Sequence, residues 1–90
     1  MPIRIHIPTP LRSHTDGKDT VEVGGATVRA ALDDLGRQFP AVTPRIMDNG
    51  QVRRFVNIYV NDEDIRYLDN LETTVKDGDS VSIIPAVAGG

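Results

Sequence analysis

The chemistry this chain can offer is concentrated in its last seven residues, Ile84-Pro85-Ala86-Val87-Ala88-Gly89-Gly90. The run carries no charge and stops on two glycines. Glycine buries no side chain and loses the most freedom when ordered, so a terminal pair adds nothing to a core. Two residues without a Cβ can, however, enter a narrow channel in another protein. The Gly90 carboxylate is then the group that a partner can act on. A frayed and silent chain end is the alternative at this point, with Pro85 serving only to stop the last strand.

No second constellation competes with this one. His6 and His14 are two isolated imidazoles, too few for a metal site, and read as solvated strand and loop residues. Asp62-Glu63-Asp64 lacks the spacing of a calcium loop and reads as an acidic turn. Gly24-Gly25 has no Lys-Ser/Thr behind it and is not a phosphate loop. Asp33 and Asp34 are adjacent on a helix, so their carboxylates diverge. Ser13, His14 and Asp16 lie within one turn, where local hydrogen bonding explains them better than a triad does. Arg53-Arg54 has two readings, a dock for an acidic partner or the solvated start of a strand. With no base, nucleophile or pocket signature of its own, the chain is expected not to be an enzyme.

Composition narrows the partners. The chain has no cysteine, which removes disulfides, Cys-ligated zinc, iron–sulfur clusters and thiol nucleophiles. Net charge is −3, and the ten basic residues are scattered. Nucleic-acid binding needs a concentrated basic surface and is not expected; an acidic surface suits docking on a basic patch of another protein. Met1-Pro2-Ile3-Arg4-Ile5-His6 alternates and lacks a signal-peptide core, and no apolar run is long enough to span a membrane. A cytoplasmic protein without membrane contact is the expectation.

The elements that must position the terminal residues follow from periodicity. Ninety residues suffice for one domain. Its core has to be aliphatic, because Phe39, Phe55, Tyr59 and Tyr67 are the whole aromatic content. Ile3, Ile5 and Ile7 alternate with polar residues, which predicts a half-buried strand ended by Pro8 and Pro10. Residues 13–17 form a turn cluster, and 20–23 a second strand with Val21 and Val23 on one face. Thr27 is a fitting N-cap for a helix over about 27–39. Val28, Ala31, Leu32, Leu35 and Phe39 make its buried stripe. Arg29–Asp33 and Asp33–Arg37 are i,i+4 neighbours on the far face. Gly36 weakens this helix by roughly 1 kcal/mol relative to alanine.

After an irregular stretch with one helical turn over 44–47 and a turn at Asp48-Asn49-Gly50, residues 55–60 predict a strand rich in β-formers. Its aliphatic face, Val56, Ile58 and Val60, is the expected core face. Residues 65–67 are read as a short returning strand, and 80–84 as the last one, with Val81 and Ile83 inward and Ile84 outward. The order is β-β-α-β-β-β. It predicts an α+β chain with the ubiquitin-like β-grasp fold: a mixed four- to five-stranded sheet with one main helix packed on one face. Residues 1–85 are the expected β-grasp domain and 86–90 a flexible tail. Ile84, Val87 and Phe55 find no obvious place inside. They are either a docking patch beside the tail or ordinary surface hydrophobes.

This order, together with Ile7-Pro8-Thr9, Leu11-Arg12, the run from Arg54 to Asp64, Asp77-Gly78-Asp79-Ser80-Val81 and the ending Ile84 to Gly90, resembles the ubiquitin-like sulfur-carrier family, the MoaD/ThiS group. The Phe55–Asp64 run resembles most the carriers that serve cysteine biosynthesis. The resemblance implies that an E1-like adenylyltransferase/sulfurtransferase uses ATP to adenylate the Gly90 carboxylate. Sulfide or an enzyme persulfide then displaces AMP. Sulfur is held covalently as a C-terminal thiocarboxylate on Gly90, so the carrier needs no cysteine and binds no cofactor. It further implies transfer to a PLP-dependent cysteine synthase and release of cysteine by a JAMM-type zinc peptidase. Alternatives within the resemblance are a carrier for molybdopterin, thiamin or a secondary metabolite, or a protein modifier. In these terms Gly89 keeps the partner's channel unobstructed, Ala88, Val87 and Ala86 contact its walls, and Ile84, Pro85 and Phe55 form the docking surface.

Overall fold

The alternation at the N-terminus becomes an inner strand of a sheet. The computed structural model describes residues 2–85. Strand β1 (Ile3–His6) pairs antiparallel with β2 (Thr20–Val23) and parallel with β7 (Ser80–Pro85). On its other side β7 pairs antiparallel with β5 (Val56–Val60), which in turn meets the two-residue β6 (Glu63–Asp64). The sheet order is β2-β1-β7-β5-β6. Register keeps one side chemistry per face: Ile3 opposes Val23, Ile5 opposes Val21 and Val81, and Ile58 opposes Ile83. Cross-strand neighbours share a face, so these aliphatics form one apolar layer.

Helix α1 (Val28–Gln38) closes that layer, burying Val28, Ala31, Leu32 and Leu35. The Thr27 hydroxyl accepts from the Ala30 N–H at 3.2 Å, as the capping pattern predicts. Phe39 is partly buried against the same core. The expected β-grasp arrangement is therefore present, with the five-stranded sheet as its upper count. Gly36 has a reason in packing. A Cβ there would run into the Thr43 hydroxyl of α2 (Thr43–Ile46), so glycine lets the two helices approach. At Gly25, φ is +145° and a Cβ would lie 2.9 Å from Ala30 Cβ, which fixes glycine at the turn into α1.

Three expectations need correction. Residues 65–67 are a 3-10 segment, and the returning strand is Glu63–Asp64. Asn61 and Asp62, at φ 48° and 75°, turn the chain in two residues, so pairing resumes at Glu63 at once. The Asp64 carboxylate then accepts from the Arg66 N–H at 2.9 Å and curls the chain out of the sheet. The expected turn at 13–17 is found at 15–17, where it ends a 3-10 segment, Thr9–His14. The buried Thr15 hydroxyl secures its end, 3.0 Å from the Lys18 carbonyl. The i,i+4 ladder along α1 is replaced as well. Arg29 reaches Glu72 at 2.9 Å and the Gly50 carbonyl at 3.1 Å, and Arg37 pairs with Asp34. Exposed i,i+4 pairs contribute only a few tenths of a kcal/mol, so at Arg29 a long-range partner prevails and at Arg37 an i,i+3 neighbour does. The turn at Asn49-Gly50 joins a small separate hairpin of β3 (Met47–Asp48) and β4 (Gln51–Val52).

The outer edge of the sheet at β2 is covered by α1. Gln38 Nε2 donates to the Glu22 carbonyl at 3.0 Å, and the Gly24 N–H donates to Asp34 Oδ2 at 2.8 Å. Side chains thus occupy backbone groups that an unprotected edge would offer to another strand.

Candidate functional site

The last strand runs between two neighbours and outlasts one of them. β1 accompanies β7 from Ser80 to Ser82, whereas β5 accompanies it from Val81 to Pro85. Ile7 and Pro8 follow β1, and proline has no N–H to extend the ladder. Beyond Ser82 the chain therefore leaves the sheet held by β5 on one side. Ile83 is buried, while Ile84 is 44% exposed and lies opposite Asn57 on the face away from α1. Pro85 pairs with Val56, and Phe55, 52% exposed, is the next residue back.

The structure thus brings Ile84, Pro85 and Phe55 to one end of the sheet, where β7 departs. The same outer face carries Ser82 on β7, Arg4 and His6 on β1, Glu22 on β2, and Asn57 and Tyr59 on β5. Gly90, Gly89, Ala88, Val87 and Ala86 lie outside the described residues. Tyr67, 87% exposed, and Leu68 are further exposed hydrophobics that sequence reasoning assigned to a strand or left unremarked. Their exposure follows from the Asp64 turn, which no periodicity reports.

The other candidates stay apart. Among the described residues no group of three or more His, Cys, Asp or Glu is arranged to hold a metal. His6 Nδ1 lies 3.5 Å from the Thr20 hydroxyl. No helix of the described residues is long and apolar enough to cross a membrane.

Among the described residues two carboxylates have shifted acidity, and both are structural. The Arg66 side chain, followed by its backbone N–H, donates to Asp64 and holds that carboxyl below the usual carboxylate range. The Asn61 side chain, then the Lys76 N–H, does the same for Asp79. A pKa lower in the folded than in the unfolded chain means that the unfolded state binds the proton first. The stability these groups contribute is complete above the unfolded carboxylate value of about 3.9 and is lost as pH falls through the folded value. Stability is therefore expected to fall off below about pH 4. Asp64→Asn and Asp79→Asn should flatten that acid limb and leave the slope between pH 6 and 8, roughly, unchanged. Urea melts across the range test this, and an undiminished acid limb in the double variant would rule it out.

The ThiS family profile matches residues 5–90. The chain belongs to the ThiS family. It is 48% identical over 93 aligned positions to the sulfur carrier protein CysO of Mycobacterium tuberculosis, and the alignment covers both chains completely. Its structure superposes on CysO in the crystal structure of an Amycolatopsis orientalis BexX/CysO complex with a TM-score of 0.93. That match is 46% identical and covers 98% of this chain and 99% of the other. Small archaeal modifier protein 3 of Haloferax volcanii is 37% identical over 65 residues, 72% of this chain and 71% of that one. The chain is thus homologous to a sulfur carrier along its whole length, and a small archaeal modifier protein is among its relatives.

Proposed function

We propose that this ThiS-family chain is a sulfur carrier whose working group is the Gly90 carboxylate. The observation that carries the reading is the full-length kinship with CysO in a chain that ends on Gly89-Gly90. An E1-like enzyme binds the domain through Ile84, Pro85 and Phe55 and threads residues 86–90 into its active site. Five extended residues reach about 17 Å. That is far enough to deliver a carboxylate to a buried ATP while the domain stays outside.

There a Gly90 carboxylate oxygen attacks the α-phosphorus of ATP and pyrophosphate leaves. Hydrosulfide then adds to the acyl carbon, the bond to AMP breaks, and a thiocarboxylate remains. AMP carries away the electron pair, so the exchange needs no oxidant or reductant. The sulfur passes to a serine-derived acceptor in a PLP-dependent cysteine synthase, and a JAMM-type zinc peptidase frees the cysteine. All of this is cytoplasmic, and the catalytic groups belong to the partners. The BexX/CysO complex supports a carrier that docks on other proteins.

The test is isotope exchange between pyrophosphate and ATP catalysed by the E1-like enzyme. Exchange should require this chain and disappear when Gly89 and Gly90 are deleted; exchange that persists with the truncated chain would contradict the reading. In the same assay Ile84→Asp should raise KM about tenfold, or about 1.4 kcal/mol. Ile84 is half exposed, so the melting temperature should not change. An unaltered KM would remove Ile84 from the docking surface. A protein modifier is the second reading, favoured by the kinship with small archaeal modifier protein 3. It predicts isopeptide conjugates of higher mass in lysate of the native host.

A further inference from the structure

β6 pairs with β5 only at Tyr59 and Val60. From Val56 to Ile58, β5 therefore has β7 on one flank and, among the described residues, no strand on the other. A cavity of about 440 Å³ opens along this free flank. Val52, Val56, Ile58, Ile65 and Leu71 supply its apolar lining, and Arg29, Arg53, Arg54 and Arg66 stand around it.

The charges are not evenly spent. Arg29 is tied to Glu72 at 2.9 Å and Arg66 to Asp64 at 2.8 Å. Arg53 reaches the Pro44 carbonyl at 3.4 Å. Neither Arg53 nor Arg54 pairs with a carboxylate among the described residues. The acidic wall, Asp64, Asp69 and Glu72, comes from the segment after β5, and Asp64 sits opposite Tyr59, towards the far end of the strand. The groove is thus basic where β5 begins, in a chain whose net charge is −3.

We propose that this flank is a docking groove for an extended, acidic segment of a partner protein. The Val56 N–H already donates to the Arg53 carbonyl at 3.0 Å, so the segment adds as a short strand centred on Ile58, seats alternate aliphatic side chains on the lining, and sets its acidic residues against Arg53 and Arg54. Strand addition takes its affinity from main-chain hydrogen bonds and its specificity from pockets for every second side chain. Electrostatics selects the partner. An acidic segment is repelled by the chain as a whole and attracted at this one end. At the opposite edge of the sheet, Gln38 and Asp34 of α1 occupy backbone groups of Glu22 and Gly24. The groove owes nothing to the sulfur chemistry. Pro85 pairs with Val56 on the other flank of β5, so removing Gly89 and Gly90 leaves the groove intact.

The experiment titrates the full-length, nitrogen-15-labelled chain with an end-blocked peptide, Asp-Asp-Ile-Thr-Val-Thr. Amide shifts should centre on Val52 and on Val56 to Ile58. Arg53→Glu combined with Arg54→Glu should weaken binding at least tenfold, as should a peptide beginning Lys-Lys, and added salt should weaken it as well. If the double variant loses its dispersed spectrum, Arg54→Glu alone carries the test, since it removes no hydrogen bond described in the structure. Four results overturn the proposal. They are no binding at about 1 mM peptide, affinity indifferent to charge reversal, shifts centred on β2 or the outer sheet face, and the same shifts on concentrating the protein alone. The last would make the occupant a second copy of this chain.

Discussion

Gly89→Val is expected to leave thermal unfolding unchanged and to lower the proposed ATP-dependent activation of Gly90 about a hundredfold, the loss that accompanies a misplacement of about 1 Å at a reacting centre. The described core runs from Ile3 to Ile83, so Gly89 is not asked to stabilise the domain. Valine adds a branched Cβ one residue from the reacting carboxyl. It also narrows the backbone conformations by which the chain can pass a tight channel. Gly89→Ala adds one methyl and should fall between the two. Pyrophosphate exchange and a melting curve on the same samples separate the effects. Equal exchange rates for Gly89 and Val would mean that no narrow channel surrounds this residue, whatever happens at Gly90.

Ile5→Ala is the largest expected loss of stability, about 2–5 kcal/mol. Ile5 is fully buried on β1, between Val21 of β2 and Val81 of β7. Its removal leaves a cavity in the apolar layer under α1, at a strand held on both sides and unable to collapse freely. A domain of this size is stable by only about 5–15 kcal/mol, so the melting temperature should drop by at least about 8 °C. Ile84→Ala supplies the contrast. Ile84 is 44% exposed, and surface substitutions usually stay within about 0.5 kcal/mol. Urea melts of both variants check the pair. A loss below about 1 kcal/mol for Ile5→Ala would mean that the layer repacks, contrary to the register described.

Local chemistry made much of this fold legible in advance. The isoleucine alternation of β1, the Thr27 cap with its apolar stripe, and the β-formers of β5 each act within a few residues, and each appears where periodicity predicts. What stayed hidden depends on contacts that periodicity does not carry. The turn at Ile65–Tyr67 is set by one carboxylate, Asp64, accepting from Arg66, and it turns Tyr67 outward. The segment Thr9–His14 is closed by a buried threonine hydroxyl. Arg29 abandons its helix neighbours for Glu72, 43 residues away.

The site divides in the same way. Gly89 and Gly90 stand out in the sequence for the side chains they lack, and they lie outside the described residues. That Phe55 and Pro85 share one end of the sheet depends on β5–β7 register. The groove on the other flank of β5 is assembled from the 51–58 and 64–72 segments together with Arg29. Arg53-Arg54 could be read from sequence as a basic pair, but not as one end of an open strand.

The central claim, that sulfur is carried on Gly90, is tested most directly by the intact mass of the chain purified from its native host under reducing, amine-free conditions. The chain should be heavier by the difference between a sulfur and an oxygen atom. Oxidation of Met1 or Met47 adds nearly the same nominal mass, so the increment has to be found on the C-terminal peptide and trapped there by a thiol alkylating reagent. Sulfur on Gly90 is the predicted result, and a cysteine-sized increment there would identify the acceptor as well. A bare carboxylate on Gly90, persisting when the E1-like enzyme, ATP and sulfide are supplied, would contradict the account.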